Sequence, residues 1–363
     1  GAAAHPRALF HARRQSVGGK MKIAVDCRYL GKSGIGRVCE GILDNLDYTA
    51  DEYFLIGDAK RLAPYRAAHI IEDDGDPFSV GGMLQFPKQV NKVCDCIIIP
   101  NFIIPFGIKI PVYPVMHDLI FLDMPEIMTR GKIDYLVKKT LLRRCMKRAK
   151  KIACVSEFTR SRCGHFFPKF ADKCYVNYNG LSKDVLSFDG DATEKSNTIV
   201  YVGNVKPHKG LATLIEAYKM LPSGKFRLNI IGEREGFLTG MKAEQLDHEG
   251  VIFTGRLSDE DLLREIASAA FLVQPSLYEG FGLPPLEALW LGTQPILSDI
   301  PVFREIYDGF PVVFFEAGNA QALKEALLAP VADRPSVREK ILQKFSYVEF
   351  TNRLKKYIQG IGD

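Results

Sequence analysis

Pro275-Ser276-Leu277-Tyr278-Glu279-Gly280-Phe281-Gly282-Leu283-Pro284-Pro285-Leu286-Glu287 is the stretch whose reading decides the fold. An apolar β-type run over 271–275 leads into it and a helical pattern over 284–291 leaves it, so it reads as a strand–loop–helix turn. Two prolines suit the first turn of a helix, where a missing N–H costs nothing. Gly280 and Gly282 let backbone N–H groups come close to a ligand. The free amides and positive dipole end of a helix N-terminus favour a phosphate. Glu279 and Glu287 would repel that phosphate, and as acceptors they fit sugar hydroxyls instead.

Outward from this turn, β-type runs alternate with helical patterns. On the carboxyl side the runs are 198–203, 227–232, 251–254, 271–275 and 294–298, with helices over 211–220, 259–269 and 284–291. On the amino side they are 22–27, 53–57, 96–100, 112–117 and 151–156, with helices over 36–46 and 133–149. Two such series predict an α/β protein of two doubly wound domains with parallel sheets. The polar stretch 182–197 reads as the linker, which divides the chain into 21–185 and 186–344. Ligands of open α/β sheets bind beyond the carboxyl ends of the strands, so facing domains put the site in the cleft between them.

Composition narrows the partners. The 363 residues hold 48 Lys+Arg against 43 Asp+Glu, and 47% are hydrophobic, which excludes a disordered or fibrous chain. No uninterrupted apolar stretch is long enough for a bilayer-spanning helix. Arg7, Arg13, Arg14 and Lys20 fall in an acid-free opening without apolar periodicity. Residues 1–20 read as an expression leader, with an Arg-rich transit peptide as the alternative. Within the rest, 130–151 carries ten basic residues and one acid, Asp134. Its helical pattern has Ile133, Leu136, Leu141, Leu142 and Met146 as an apolar face. The basic face is either solvated or docked on an anionic membrane carrying a lipid-linked acceptor; no nucleic-acid partner is implied. The eight cysteines follow no paired metal-ligand spacing, so buried thiols of a reducing, cytoplasmic setting are expected and no zinc. Asp74-Gly75-Asp76 and Asp189-Gly190-Asp191 lack a preceding apolar strand and read as solvated turns, so no metal is expected. Gly34-Ile35-Gly36 fails as a dinucleotide fingerprint, because Cys39 stands where a third glycine is required.

The spacing Glu279-x7-Glu287 within PSLYEGFGLPPLEAL resembles the signature of the retaining glycosyltransferases of family four (glycosyl transferases group 1), whose fold is GT-B. Tyr201-Val202-Gly203-Asn204-Val205-Lys206-Pro207-His208-Lys209-Gly210 is similar to that family's phosphate loop, and Val155-Ser156-Glu157-Phe158-Thr159-Arg160 to a further segment. Ser33-Gly34-Ile35-Gly36-Arg37 resembles its amino-terminal glycine loop and His117-Asp118 its His-Asp pair. The matches occur in the family's order over nearly everything after residue 20.

The resemblance implies roles. Glu279 would hold hydroxyls of the transferred sugar and Glu287 the ribose of the nucleotide. Lys209 would neutralise the diphosphate leaving group, assisted by the amides of Phe281, Gly282 and Leu283, with Gly280 beside them. His117 would position the reacting sugar and stabilise charge, a phosphate oxygen of the donor serving as base. Gly34, Gly36, Gly203, Asn204, Lys206 and Arg256 would lie along the donor. The family commonly has Arg where this chain has Asn204, which leaves Lys206, His208 or Arg37 as source of the second positive charge. A terminal helix within 345–363 would cross back onto the amino-terminal domain. The implied reaction moves a hexose from a nucleotide diphosphate sugar to a hydroxyl of a glycan or lipid-linked acceptor at the cytoplasmic face, without a metal cofactor. The phosphate-loop wording favours GDP-mannose over UDP- or dTDP-sugars. A nucleotide-sugar epimerase of the same fold and a non-catalytic nucleotide-sugar-binding partner subunit remain as alternatives.

Overall fold

The computed structural model describes residues 19–189, 193–232, 248–329 and 336–362, and its strands form two sheets. The first contains β1 (Lys22–Asp26), β2 (Glu52–Gly57), β3 (His69–Glu72), β4 (Cys96–Ile99), β5 (Val112–Met116), β6 (Ile152–Cys154) and β7 (Cys174–Val176). Their spatial order is β3-β2-β1-β4-β5-β6-β7. The second contains β8 (Thr198–Val202), β9 (Arg227–Ile231), β10 (Val251–Gly255), β11 (Phe271–Gln274), β12 (Gln294–Ser298) and β13 (Val313–Phe315), ordered β10-β9-β8-β11-β12-β13. Every strand pair is parallel. That arrangement explains runs such as Cys96–Ile99 and Val112–Met116, apolar at nearly every position because both faces are buried.

The order of each sheet reverses once, between β1 and β4 and between β8 and β11. Such reversal points open a crevice at the carboxyl ends of the strands, because the connections leave toward opposite faces. The loop after β8 carries Lys209 and the loop after β11 carries Glu279. The signature segment therefore lies at the switch point of the second sheet.

Several expectations change. The first helix, α1 (Ser33–Asp44), starts three residues before the expected 36, because Gly36 N–H already bonds the Lys32 carbonyl at 3.1 Å. Gly34 and Gly36 are thus helical and not loop residues. The expected linker contains a short helix, Lys183–Ser187, capped by the Ser182 hydroxyl on Val185 N–H. Strands β3, β7 and β13 were not read from the sequence; each has only three or four residues and no alternation to betray it. The Lys132–Arg148 helix forms as expected, but its apolar face does not: Leu142, Cys145 and Met146 are buried while Ile133 and Leu136 are 80% and 58% exposed. Val137, near the amino end of the helix, is exposed as well.

The helix Tyr347–Ile358 lies against the first sheet's domain. Thr351 Oγ1 donates to Asn45 O at 3.0 Å, Asn177 Nδ2 to Phe350 O at 3.1 Å, and Lys355 Nζ pairs with Asp51 at 2.8 Å. All eight cysteines are buried and free. Most of residues 1–20, expected to be a leader, lies outside the described residues, as do Gly190 and Asp191. At the other aspartate string, Asp76 pairs with Lys32 at 2.6 Å and Gly75 N–H donates to Asp73, which is a turn braced by its own residues.

Candidate active site

Lys209 and Glu279, seventy residues apart, meet at 2.7 Å. Lys209 ends a 3-10 turn, Pro207–Lys209, and Gly210 follows with φ +67°. Glu279 Oε1 also accepts from the Ser276 hydroxyl at 2.8 Å. The lysine is 22% exposed and the carboxylate 10%, so the pair opens to solvent on one side only. Beside it, Gly282 caps the helix Leu283–Trp290 with φ +86°, and a Cβ there would meet the Phe303 ring at 2.6 Å. Pro284 and Pro285 occupy early positions of that helix and carry no N–H, so the donors at its amino end are the backbone amides of Gly282 and Leu283. Leu283 is the first helical residue; the Phe281 side chain turns inward onto Tyr178 and Phe345 and leaves only its backbone for a ligand.

Glu287, one helical turn further on, is buried at 4%. Its Oε1 accepts from Arg37 Nη1 at 3.3 Å, and Arg37 Nη2 reaches Asp259 Oδ1 at 2.8 Å. Arg37 sits on α1 of the first domain, so this contact bridges the cleft. Burial raises the Glu287 carboxyl above its ordinary range, and Arg37 opposes that shift.

His117 follows β5 and points its Nε2 at the Pro100 carbonyl, 2.8 Å away. Burial lowers its pKa and keeps the ring neutral near pH 7. Asp118 accepts from Ile120 N–H at 3.1 Å, and burial raises its carboxyl. The two domains touch here. A Cβ on Gly280 would overlap the His117 carbonyl oxygen. The Ser156 hydroxyl donates to Gly280 O at 2.7 Å. Tyr278 donates to Asp123 at 2.8 Å, and Glu305 accepts the N–H groups of Glu157 and Phe158 at 2.5 and 2.7 Å. That last carboxylate caps the N-terminus of the Glu157–Phe166 helix from the opposite domain.

The remaining candidates are spread along the crevice. Gly203 ends β8 and its N–H bonds Ile231 O at 3.0 Å; Asn204 accepts from the Tyr201 hydroxyl through its own carbonyl at 3.2 Å. Lys206 is exposed by surface area, yet neighbouring protein atoms desolvate its ammonium, and this together with repulsion from Lys209 lowers its pKa. Arg256 is exposed just past β10 and has no ion pair among the described residues. His208 is unsuitable as the second positive group: it is 6% exposed, its Nδ1 has no partner, and burial pushes its pKa down to about 4. Gly34 is exposed on the first turn of α1, and Gly36 packs that turn against the Tyr29 carbonyl.

The structure thus brings Lys209 and Glu279 together, sets Glu287 one turn away, and closes Gly280 onto His117. Sequence reading missed Asp123 and Glu305 at this crossing; Tyr278 and Ser156, which join it, and Ser276, which holds Glu279, lay within recognised segments but had no role. Away from the cleft, Cys154, Cys163 and Cys174 place their sulfur atoms within 4.8 Å of one another. Three thiols are a donor set for a soft cation. No fourth donor joins them among the described residues, and burial in the apolar core holds the Cys154 thiol protonated.

Comparison with known proteins agrees with this arrangement. Residues 182–345 match the family model described as glycosyl transferases group 1. The chain is 30% identical over 229 residues to O-antigen chain mannosyltransferase B of Escherichia coli, covering 57% of this chain and 58% of that protein. It is 32% identical over 169 residues to the O-antigen chain mannosyltransferase RfbU of Salmonella typhimurium, covering 46% and 47%. The chain therefore spans about half the length of these curated relatives. Among solved structures, Anabaena Alr3699/HepE in complex with UDP-glucose superposes with a TM-score of 0.71 at 15% identity, over 94% of this chain and all of that one. The lipopolysaccharide outer core galactosyltransferase WaaB in its apo form gives 0.64 at 17% identity over 94% and 99%. The fold is GT-B, two parallel-sheet α/β domains across a cleft.

Proposed function

We propose that the protein is a retaining glycosyltransferase that moves a hexose from a nucleotide diphosphate sugar to a hydroxyl of a glycan or lipid-linked acceptor. The observation that carries this reading is the Lys209–Glu279 pair, 2.7 Å apart at a glycine-capped helix N-terminus. A donor offers sugar hydroxyls to the carboxylate and a diphosphate to the ammonium and to the helix amides. In the reaction the bond from the anomeric carbon to the phosphate oxygen breaks and a bond to the acceptor oxygen forms. The acceptor proton passes to a phosphate oxygen of the donor. Negative charge grows on the departing diphosphate, where a fixed cation and oriented amides lower the barrier. Neutral His117 supports the sugar without competing for that proton.

GDP-mannose is the favoured donor. The mannosyltransferase names of the curated relatives support it, and the UDP complexes of Alr3699/HepE keep UDP-sugars, with dTDP-sugars, as the alternative. No residue of this site calls for a metal in the scheme. Release of nucleotide from GDP-mannose, UDP-glucose and a dTDP-sugar, each with and without acceptor glycans, tests the reading. Turnover of a nucleotide sugar to its epimer without acceptor would favour the epimerase, and binding without turnover the partner subunit.

The acceptor side adds a second element. Ile133, Leu136 and Val137 are exposed beside exposed Lys132, Lys139 and Arg143. An apolar patch ringed by cations suits an anionic membrane at the cytoplasmic face, with each basic residue worth about 1 kcal/mol. Part of the basic run has other duties: Arg144 bonds the Ile104 and Pro105 carbonyls and Arg148 that of Ile108. No helix of the described residues is long and apolar enough to cross a membrane.

A further inference from the structure

At the proposed diphosphate site Lys209 is paired with Glu279, and among the described residues Lys206, His208 and Arg37 are the candidates for a second positive charge. Burial removes His208 from consideration, which leaves the source of the second charge open. Arg37 is the cation nearest in chemistry to what is missing. Its planar fork can grip a phosphate in bidentate fashion, which an ammonium cannot. In the structure it is held by two carboxylates of the opposite domain, Glu287 at 3.3 Å and Asp259 at 2.8 Å.

The position matters. Glu287 is the fifth residue of a helix whose amino end, at Gly282 and Leu283, faces the proposed phosphate position. One turn, about 5.4 Å, separates the two, which is within the swing of an arginine side chain. The present pairing is also incomplete. The Tyr347 hydroxyl, which feels both Glu287 and Arg37, is buried and has no hydrogen-bond partner. A buried hydroxyl without a partner, beside a charged pair, calls for an explanation.

We infer that Arg37 is a donor-responsive latch: it neutralises Glu287 while the site is empty, and moves one helical turn onto the donor diphosphate when ribose hydroxyls take its place on Glu287. This rests on the donor reading above. The exchange mirrors the one at the other carboxylate, where sugar hydroxyls free Lys209 from Glu279. Because the latch comes from α1, phosphate contact by Arg37 ties the first domain to the occupied second domain. A nucleoside without phosphates breaks the Arg37–Glu287 contact and gives Arg37 nothing in return. A nucleoside diphosphate breaks it and replaces it.

The test compares nucleoside with nucleoside diphosphate binding, guanosine against GDP and uridine against UDP, by calorimetry on the full chain. For Arg37→Met the inference expects opposite changes. The diphosphate should weaken about tenfold or more, the scale of one charge-assisted hydrogen bond, while the nucleoside should bind several-fold more tightly. Arg37→Lys, which keeps a charge but not the fork, should fall between for the diphosphate. Asp259→Asn loosens the latch from an exposed position, and should tighten the diphosphate by a few-fold with an unchanged melting temperature. Equal weakening of both ligands in Arg37→Met would overturn the inference and make Arg37 a structural strut. Loss of GDP binding in Lys206→Met but not in Arg37→Met would assign the second charge to Lys206 and overturn it as well. Failure of the unaltered protein to bind either diphosphate would instead remove the donor reading beneath it.

Discussion

The two glutamates of the signature segment stand on one side of the cleft but are held from different sides of it. Glu279 is gripped by Lys209 and Ser276, both from its own domain. Glu287 is gripped by Arg37 of the other domain. The first pair is assembled whenever the second domain folds, because its members extend from the adjacent strands β8 and β11. The second exists only while α1 lies across the cleft. One carboxylate therefore belongs to a preformed charge site, and the other reports whether the domains are together. A ligand that engages both must reorganise one local contact and one interdomain contact.

The largest effect separates these roles directly. Lys209→Ala and Glu279→Ala should each lower sugar transfer by about 10²–10³-fold, the scale seen when one preorganised electrostatic contact to a developing anion is lost. Circular dichroism and melting temperature should stay close to those of the unaltered protein, and unchanged transfer in both variants would break the preformed half of the comparison.

Acid acts next on the same local side. His208 neighbours Lys209 and Lys206 and is held at about 4 against an ordinary 6.5. The unfolded chain takes up this proton before the folded one does, so stability is full above pH 6.5 and falls as pH drops toward 4. The loss amounts to about 3 kcal/mol at one proton and roughly 1.4 kcal/mol per pKa unit. Denaturant titrations from pH 7 to 4 should show that slope, and His208→Gln should flatten it.

A double-mutant cycle on Arg37 and Glu287 should give a coupling of about 1–2 kcal/mol in unfolding free energy. A coupling near zero would mean that the cross-cleft pair is not populated in solution. The smallest change is expected at the outer surface. Replacing any one of Lys132, Lys139 and Arg143 by Gln should weaken sedimentation with phosphatidylglycerol-containing vesicles by about 1 kcal/mol, with neutral vesicles as control. Equal binding to both vesicle types would reject the membrane face.

Much of the second domain was legible because its signals are local. A strand, two glycines, two prolines and a helical pattern within twenty residues describe the 271–291 turn without help from the rest of the chain. Lys209 and Glu279 were assigned to one donor through the resemblance of their two loops, but their contact depends on β8 and β11 being neighbours, an order that the sequence does not show. The Arg37–Glu287 contact had no such signal, since 250 residues separate partners whose meeting depends on how two domains close. Glu305 capping a helix of the other domain escaped for the same reason. Short edge strands such as β3 and β13 lack enough residues for a period. The Lys132–Arg148 helix misled in a different way: Ile133 and Leu136 keep a helical spacing with Leu142, yet only the carboxyl half of the helix, at Leu142, Cys145 and Met146, is buried.

Nucleotide release from GDP-mannose by the unaltered protein and by Lys209→Ala, in parallel with UDP-glucose and a dTDP-sugar, tests the central claim most directly. The account expects acceptor-dependent release from at least one donor, GDP-mannose foremost, and its loss by about 10²-fold or more in the variant. Release that is equal in both proteins, or absent for every donor with every acceptor, would contradict it.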